Sequence, residues 1–229
     1  MMFGYDSIRE WLVGILYMLP VCLLSLSVHE FSHGFVADKL GDPTARMAGR
    51  LTLNPMKHID PLGFIAFIVL RFGWAKPVPV NISNFKNKKR DIALTAIAGP
   101  ISNFLLALIF AFIFQGFYKL IYLNYSTIAT NSVISKLIPI LSNLLYYFVI
   151  SNICLAIFNL IPVYPLDGSR VLYSFLPYTA ENKMKRIEKY LQLALILVLI
   201  TGYLGNPLYI AATTVSNWFF ALAGLVIPI

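Results

Sequence analysis

The chain has 229 residues, of which 59% are hydrophobic and 12% charged, and its mean hydropathy is +0.74. A water-soluble domain carries about 25% charged residues, so a soluble globular fold is excluded and an all-α polytopic membrane protein is expected. The net charge of +8 does not point to nucleic acid, because the basic residues cluster beside apolar runs, where such clusters orient spans and meet anionic lipid.

In chain order, Asp6, Arg9 and Glu10 leave no positive leader and no small-residue cleavage site follows, so the first apolar run stays in the mature protein. Long apolar runs cover residues 11–28, 92–118, 137–161 and 207–229. A shorter one at 190–204 makes a fifth span if Lys189 snorkels to the interface. Residues 62–70 are too few for a crossing that takes about 20 residues, and they read as a re-entrant or interfacial segment. Between Gly41 and Asp91, 50–54 and 77–81 alternate or carry prolines in a way that suits short edge strands at the membrane. The whole chain reads as one integral-membrane domain, residues 1–229. Cys22 and Cys154 sit alone in apolar runs and read as packing residues.

The segment 41–91 carries nine of the eighteen basic residues and 162–189 carries five more. The positive-inside rule places both in the cytoplasm and the loop 118–136, with only Lys119 and Lys136, outside.

Near the cytoplasmic end of the first span lies His29-Glu30-Phe31-Ser32-His33. Residues four apart share a helix face, so both imidazoles can reach one metal ion, with Glu30 beside them to take a proton from water. No basic residue lies between Ser25 and Val36 to neutralise Glu30, and an ionisable group at membrane depth is functional by default. A zinc site needs a third protein ligand and one open position. Asp167, between the helix-breaking Pro162 and Pro165 and the turn-forming Gly168, is one candidate. His58 is the other.

HEFSH at 29–33 together with NLIPVYPLDG at 159–168 resembles the site-2 protease family of intramembrane zinc metalloproteases. Gly99-Pro100-Ile101-Ser102-Asn103 is similar to that family's GPxxN element, and GDPTARMAGRLTLNPMKHIDPLG at 41–63 looks like its compact subgroup, without a PDZ or CBS domain. The resemblance runs from about His29 to Arg170. It implies one Zn²⁺ per chain held by His29, His33 and Asp167, with Glu30 as catalytic base. It also implies Asn159 and Asn103 at a substrate cleft, with an interhelical hydrogen bond as the other reading of Asn103; His58, where it is not the third ligand, is a further cleft candidate. The activity implied is hydrolysis of peptide bonds within transmembrane segments of single-span membrane proteins in a bacterial membrane, from its cytoplasmic side. The unwound substrate would add as a strand to 77–81. The rival readings are a transporter, whose sites also use broken helices, and a catalytically silent membrane-binding protein on the same fold.

Overall fold

The computed structural model describes residues 7–70 and 73–228; Asp6, Arg71 and Ile229 of the sequence reading lie outside them. Nine helices follow in order among the described residues: α1 (Ile8–Lys39), α2 (Thr44–Met47), α3 (Pro61–Leu70), α4 (Lys88–Leu123), α5 (Tyr125–Thr130), α6 (Ser132–Asn159), α7 (Asp167–Phe175), α8 (Tyr178–Thr201) and α9 (Gly205–Val226). Four of them, α1, α4, α6 and α9, are long and apolar enough to cross a membrane. The protein is therefore an integral, multi-pass membrane protein. At 1.5 Å per residue even the shortest of these, with 22 residues, exceeds the roughly 30 Å hydrocarbon layer.

Their packing depends on small side chains. Ala107 and Ala111 of α4, Val149 and Ile153 of α6, and Ala212 of α9 form a core cluster with no exposure at all. Small residues let helix backbones approach closely where lipid supplies no hydrophobic drive. Further along, Phe220 stacks near Phe114 and Tyr146, with centroids 5.0 and 6.3 Å away, and Gln115 Nε2 donates to Ile227 O at 3.2 Å. Residue numbers thus rise together on α4 and α9 and fall on α6, so α9 runs parallel to α4 and antiparallel to α6.

That direction corrects the expected fifth span. Lys89 Nζ, at the start of α4, donates to Leu176 O just before α8, so α8 begins at the end of the bundle where α4 begins. Since α9 starts at that end too, α8 leaves and returns on one side and does not cross. The physical reason lies in its sequence. The first half carries Glu181, Lys183, Lys185, Arg186, Glu188 and Lys189, and the twelve residues left at 190–201 extend only about 18 Å. No side chain of α8 is buried.

The expected strands at 50–54 and 77–81 are absent: among the described residues no strand forms, and one isolated bridge joins Ile59 to Ala75. Pro77 and Pro79 lack N–H groups, so the second segment cannot offer a continuous ladder. At 62–70 the structure has the ten-residue α3. A Cβ on Gly63 would lie 2.2 Å from Trp74 O, and Lys76 N donates to His58 O at 2.8 Å. The chain after α3 therefore comes back beside the point where it left.

Candidate metal centre

α1 carries His29 and His33 one turn apart, and their rings meet edge to face with centroids 4.6 Å apart. At ten residues from the helix end at Lys39, His29 is about 15 Å along the axis from it. Gly99 is the reason α4 fits against these rings. A Cβ there would lie 2.5 Å from His33 Nε2 and 2.6 Å from His29 Cε1, so any side chain is excluded. The next residue, Pro100, gives up one ladder bond and loosens this turn of α4.

The third element arrives from the break after α6. The chain turns through 160–166, with a cis peptide before Pro165, and α7 opens on Asp167, in the first turn where the helix dipole favours a carboxylate. Gly168 lets this turn sit directly on the end of α6, since a Cβ there would lie 2.2 Å from Leu160 O.

These placements bring His29, His33 and Asp167 together as a metal-capable group. Asp167 Oδ2 lies 3.1 Å from His29 Nε2 and 3.2 Å from His33 Nε2, and the two Nε2 atoms are 3.0 Å apart. The protonation pattern makes this convergence informative. His29 Nδ1 faces Asn103 Oδ1 at 2.6 Å and His33 Nδ1 faces Thr95 O at 2.7 Å. Both partners are acceptors, so both Nδ1 atoms carry the proton. In the neutral rings both Nε2 atoms then present lone pairs to a carboxylate oxygen that is buried and makes no well-directed hydrogen bond. Three converging lone pairs repel one another unless a cation lies between them. Tetrahedral zinc, with bonds of about 2.0–2.1 Å, sets its ligand atoms about 3.3 Å apart, close to the spacing found. The residues present fit zinc.

Asn103, expected at a substrate cleft or in an interhelical hydrogen bond, makes the hydrogen bond and holds His29 in place. Asn103 is fully buried; its Nδ2 donates to Ser25 O at 3.2 Å and to Asn152 Oδ1 at 2.9 Å. Asn152, also fully buried, donates in turn to Phe148 O at 2.8 Å. The amide of Asn103 is therefore oriented from α6, and its oxygen fixes the His29 tautomer, the kind of outer contact that tunes a metal ligand. The signal that could have found Asn152 was a lone amide inside an apolar run.

Glu30 Oε2 accepts a hydrogen bond from Val78 N at 2.9 Å. His58 is buried but is not part of the metal-capable group; its Nε2 donates to Thr52 O at 2.7 Å. Asn159 sits half-buried at the end of α6, with Nδ2 on Leu155 O at 3.0 Å. The segment 77–81 has three N–H groups, of which Val78 serves Glu30 and Asn81 serves Asp42 at 2.7 Å. That corrects its expected role as an edge for an added strand, because two of its three donors are already committed. A mostly apolar cavity of about 530 Å³ lies along α1 below the metal-capable group, lined among others by Met18, Cys22, Ser25, His58, Ser151 and Phe158.

YwhC of Bacillus subtilis, which carries the name zinc metalloprotease, is 37% identical over 185 residues, covering 81% of this chain and 80% of its own. Rip2 of Mycolicibacterium smegmatis, named in the same way, is 26% identical over 226 residues, covering 96% of this chain and 80% of its own. Rip2 of Mycobacterium tuberculosis (strain H37Rv) is 24% identical over 204 residues, 87% of this chain and 68% of its own. Among solved structures none matches significantly. The model of peptidase family M50 matches residues 17–202, and the chain belongs to that family, the site-2 proteases.

Proposed function

We propose that this protein is an intramembrane endopeptidase that hydrolyses peptide bonds within transmembrane segments of single-span membrane proteins. Zinc is its cofactor, one ion per chain, held by His29, His33 and Asp167. The observation that carries the reading is the convergence of those three lone-pair donors within 3.2 Å inside an apolar bundle, with Glu30 on the adjoining position of the same helix. When bound, the metal polarises the scissile carbonyl and acidifies the attacking water. Glu30 takes that water's proton and hands it to the leaving amine. Asn103 and Thr95 keep both imidazoles in the tautomer that leaves Nε2 free for the metal. The cavity along α1, lined by residues from Met18 to Ser27 on the turns before His29, supports room for an unwound apolar segment. The basic segments 41–91 and 162–189 support a cytoplasmic-side centre, and the bacterial relatives support a bacterial membrane.

The test is zinc content and cleavage of a model single-span substrate by wild-type and Glu30→Gln protein in matched micelles. Glutamine keeps the size of the side chain but cannot accept the proton at neutral pH. One zinc in each protein with cleavage in the wild type alone is the expected outcome. Equal cleavage at equal zinc content refutes the assignment of Glu30.

A further inference from the structure

We infer that the backbone amide of Val78 is a positioning group for Glu30, and that the loop 76–84 is built to aim it. This rests on the role of Glu30 proposed above. The loop is gripped on both sides of Val78. Before it, Arg50 Nη2 donates to Lys76 O at 2.7 Å. After it, Asp42, which has no exposure, accepts from Asn81 N at 2.7 Å and Asn84 Nδ2 at 2.7 Å. Asp42 is itself tied down locally by Thr44 N at 3.2 Å and by the Thr44 hydroxyl.

Between these anchors stands Pro77-Val78-Pro79. The prolines carry no N–H, so Val78 is the one amide donor from 77 to 79, and the proline after it keeps Val78 extended. Gly34, one turn beyond Glu30 on α1, lets the loop come this close. A Cβ there would lie 3.1 Å from Val78 Cγ1 and 3.1 Å from Ala45 Cβ. Val78 is buried, and its N–H donates to Glu30 Oε2 at 2.9 Å in a part-buried hydrogen bond. With Oε2 held, the carboxylate cannot rotate freely, and Oε1 is left for the proton of the attacking water. α1 thus carries the two metal-ligating histidines and the base, and Asp42, just past its end, anchors the loop that orients the base.

Two measurements test this. In the zinc-loaded, full-length protein, amide exchange followed residue by residue should show Val78 protected. Glu30→Ala should speed exchange at Val78 by about tenfold or more, while Asn81, held by Asp42, keeps its protection. Unchanged protection at Val78 overturns the inference, and this arm needs no cleavage.

The second arm uses the model substrate. Val78→Pro removes the N–H and should lower kcat about ten- to hundredfold, with KM and zinc content kept. Val78→Ala removes the packing against Gly34 but keeps the N–H, and should lose far less than Val78→Pro. The reverse order, or a fall in KM terms alone, assigns Val78 to packing or substrate binding and overturns the inference. Val78→Pro protein that loses zinc or helicity leaves the decision to the exchange arm. A wild-type protein that cleaves nothing counts against the proposed function, and the exchange result at Val78 still stands or falls by itself.

Discussion

Replacing Gly99 by alanine adds one methyl group where two imidazoles already lie. That Cβ would sit 2.5 Å from His33 Nε2 and 2.6 Å from the Cε1 atoms of His29 and His33. Ordinary contact begins near 3.4 Å, so ring and helix must part by about 0.9 Å, the difference from 2.5 Å. The rings cannot simply rotate away, because Asn103 and Thr95 O hold their Nδ1 atoms. A ligand moved by much of an ångström leaves a site whose donors are only 3.0–3.2 Å apart. We expect Gly99→Ala to weaken zinc binding by about ten- to hundredfold and cleavage by about hundredfold or more. Zinc competition against a chelator of known affinity reads the first, and helicity by circular dichroism shows that the bundle survives. Gly116→Ala, on the same helix, is the control, since its Cβ would meet only Ile227 Cδ1 at 4.0 Å. Zinc affinity in Gly99→Ala within threefold of the control refutes the reasoning.

Two further outcomes follow from the fold. A cysteine at Lys183 should react with an impermeant thiol reagent only after the membrane is opened, whereas cysteines at Ser126 and Leu225 should react in intact cells, with Cys22 and Cys154 replaced first; reaction of Leu225 from the same side as Lys183 would restore α8 as a fifth span. Burial works against the ionised form of Asp42, but hydrogen bonds from Thr44, Asn84 and Asn81 outweigh it and hold the carboxyl below its ordinary value. A depressed folded value means that Asp42 contributes stability above the unfolded pKa of about 3.9 and loses it as pH falls through the folded one. The difference in melting temperature between wild type and Asp42→Asn should therefore be largest near neutrality and shrink below about pH 4, and a difference independent of pH would exclude a role for the charge.

The metal-capable group was legible because its signal is local. Two histidines at i and i+4 share a face whatever surrounds the helix, and an aspartate in a proline-broken stretch stands out in an apolar chain. The four long helices were legible for the same reason, since length and apolarity decide them. What hydropathy cannot carry is direction: residues 190–204 look like a span until Leu176 is found beside Lys89 and α9 is found parallel to α4. The strand expected at 77–81 failed on the prolines that had suggested it, and the alternation at 50–54 marked no strand either, because a loop anchored by Arg50 and Asp42 uses these residues. Val78 escaped notice because its contribution is a backbone N–H, which leaves no mark on residue identity.

The chain of amides from His29 through Asn103 and Asn152 to Phe148 O joins α1, α4 and α6 inside the membrane, and it sets the register of those helices as well as the pose of a ligand. Sliding α6 by one turn moves Asn152 about 5.4 Å along the axis and strands two amides in hydrocarbon, where each unmet polar group costs on the order of several kcal/mol. Misregistered assemblies are therefore disfavoured before any metal arrives. The amides that set the register also hold His29 in its ligating pose, so these contacts, and not the ion alone, draw α1, α4 and α6 together. Depleted of zinc, the protein should keep its helix packing and refill without refolding, unlike small domains whose metal and fold form in one step.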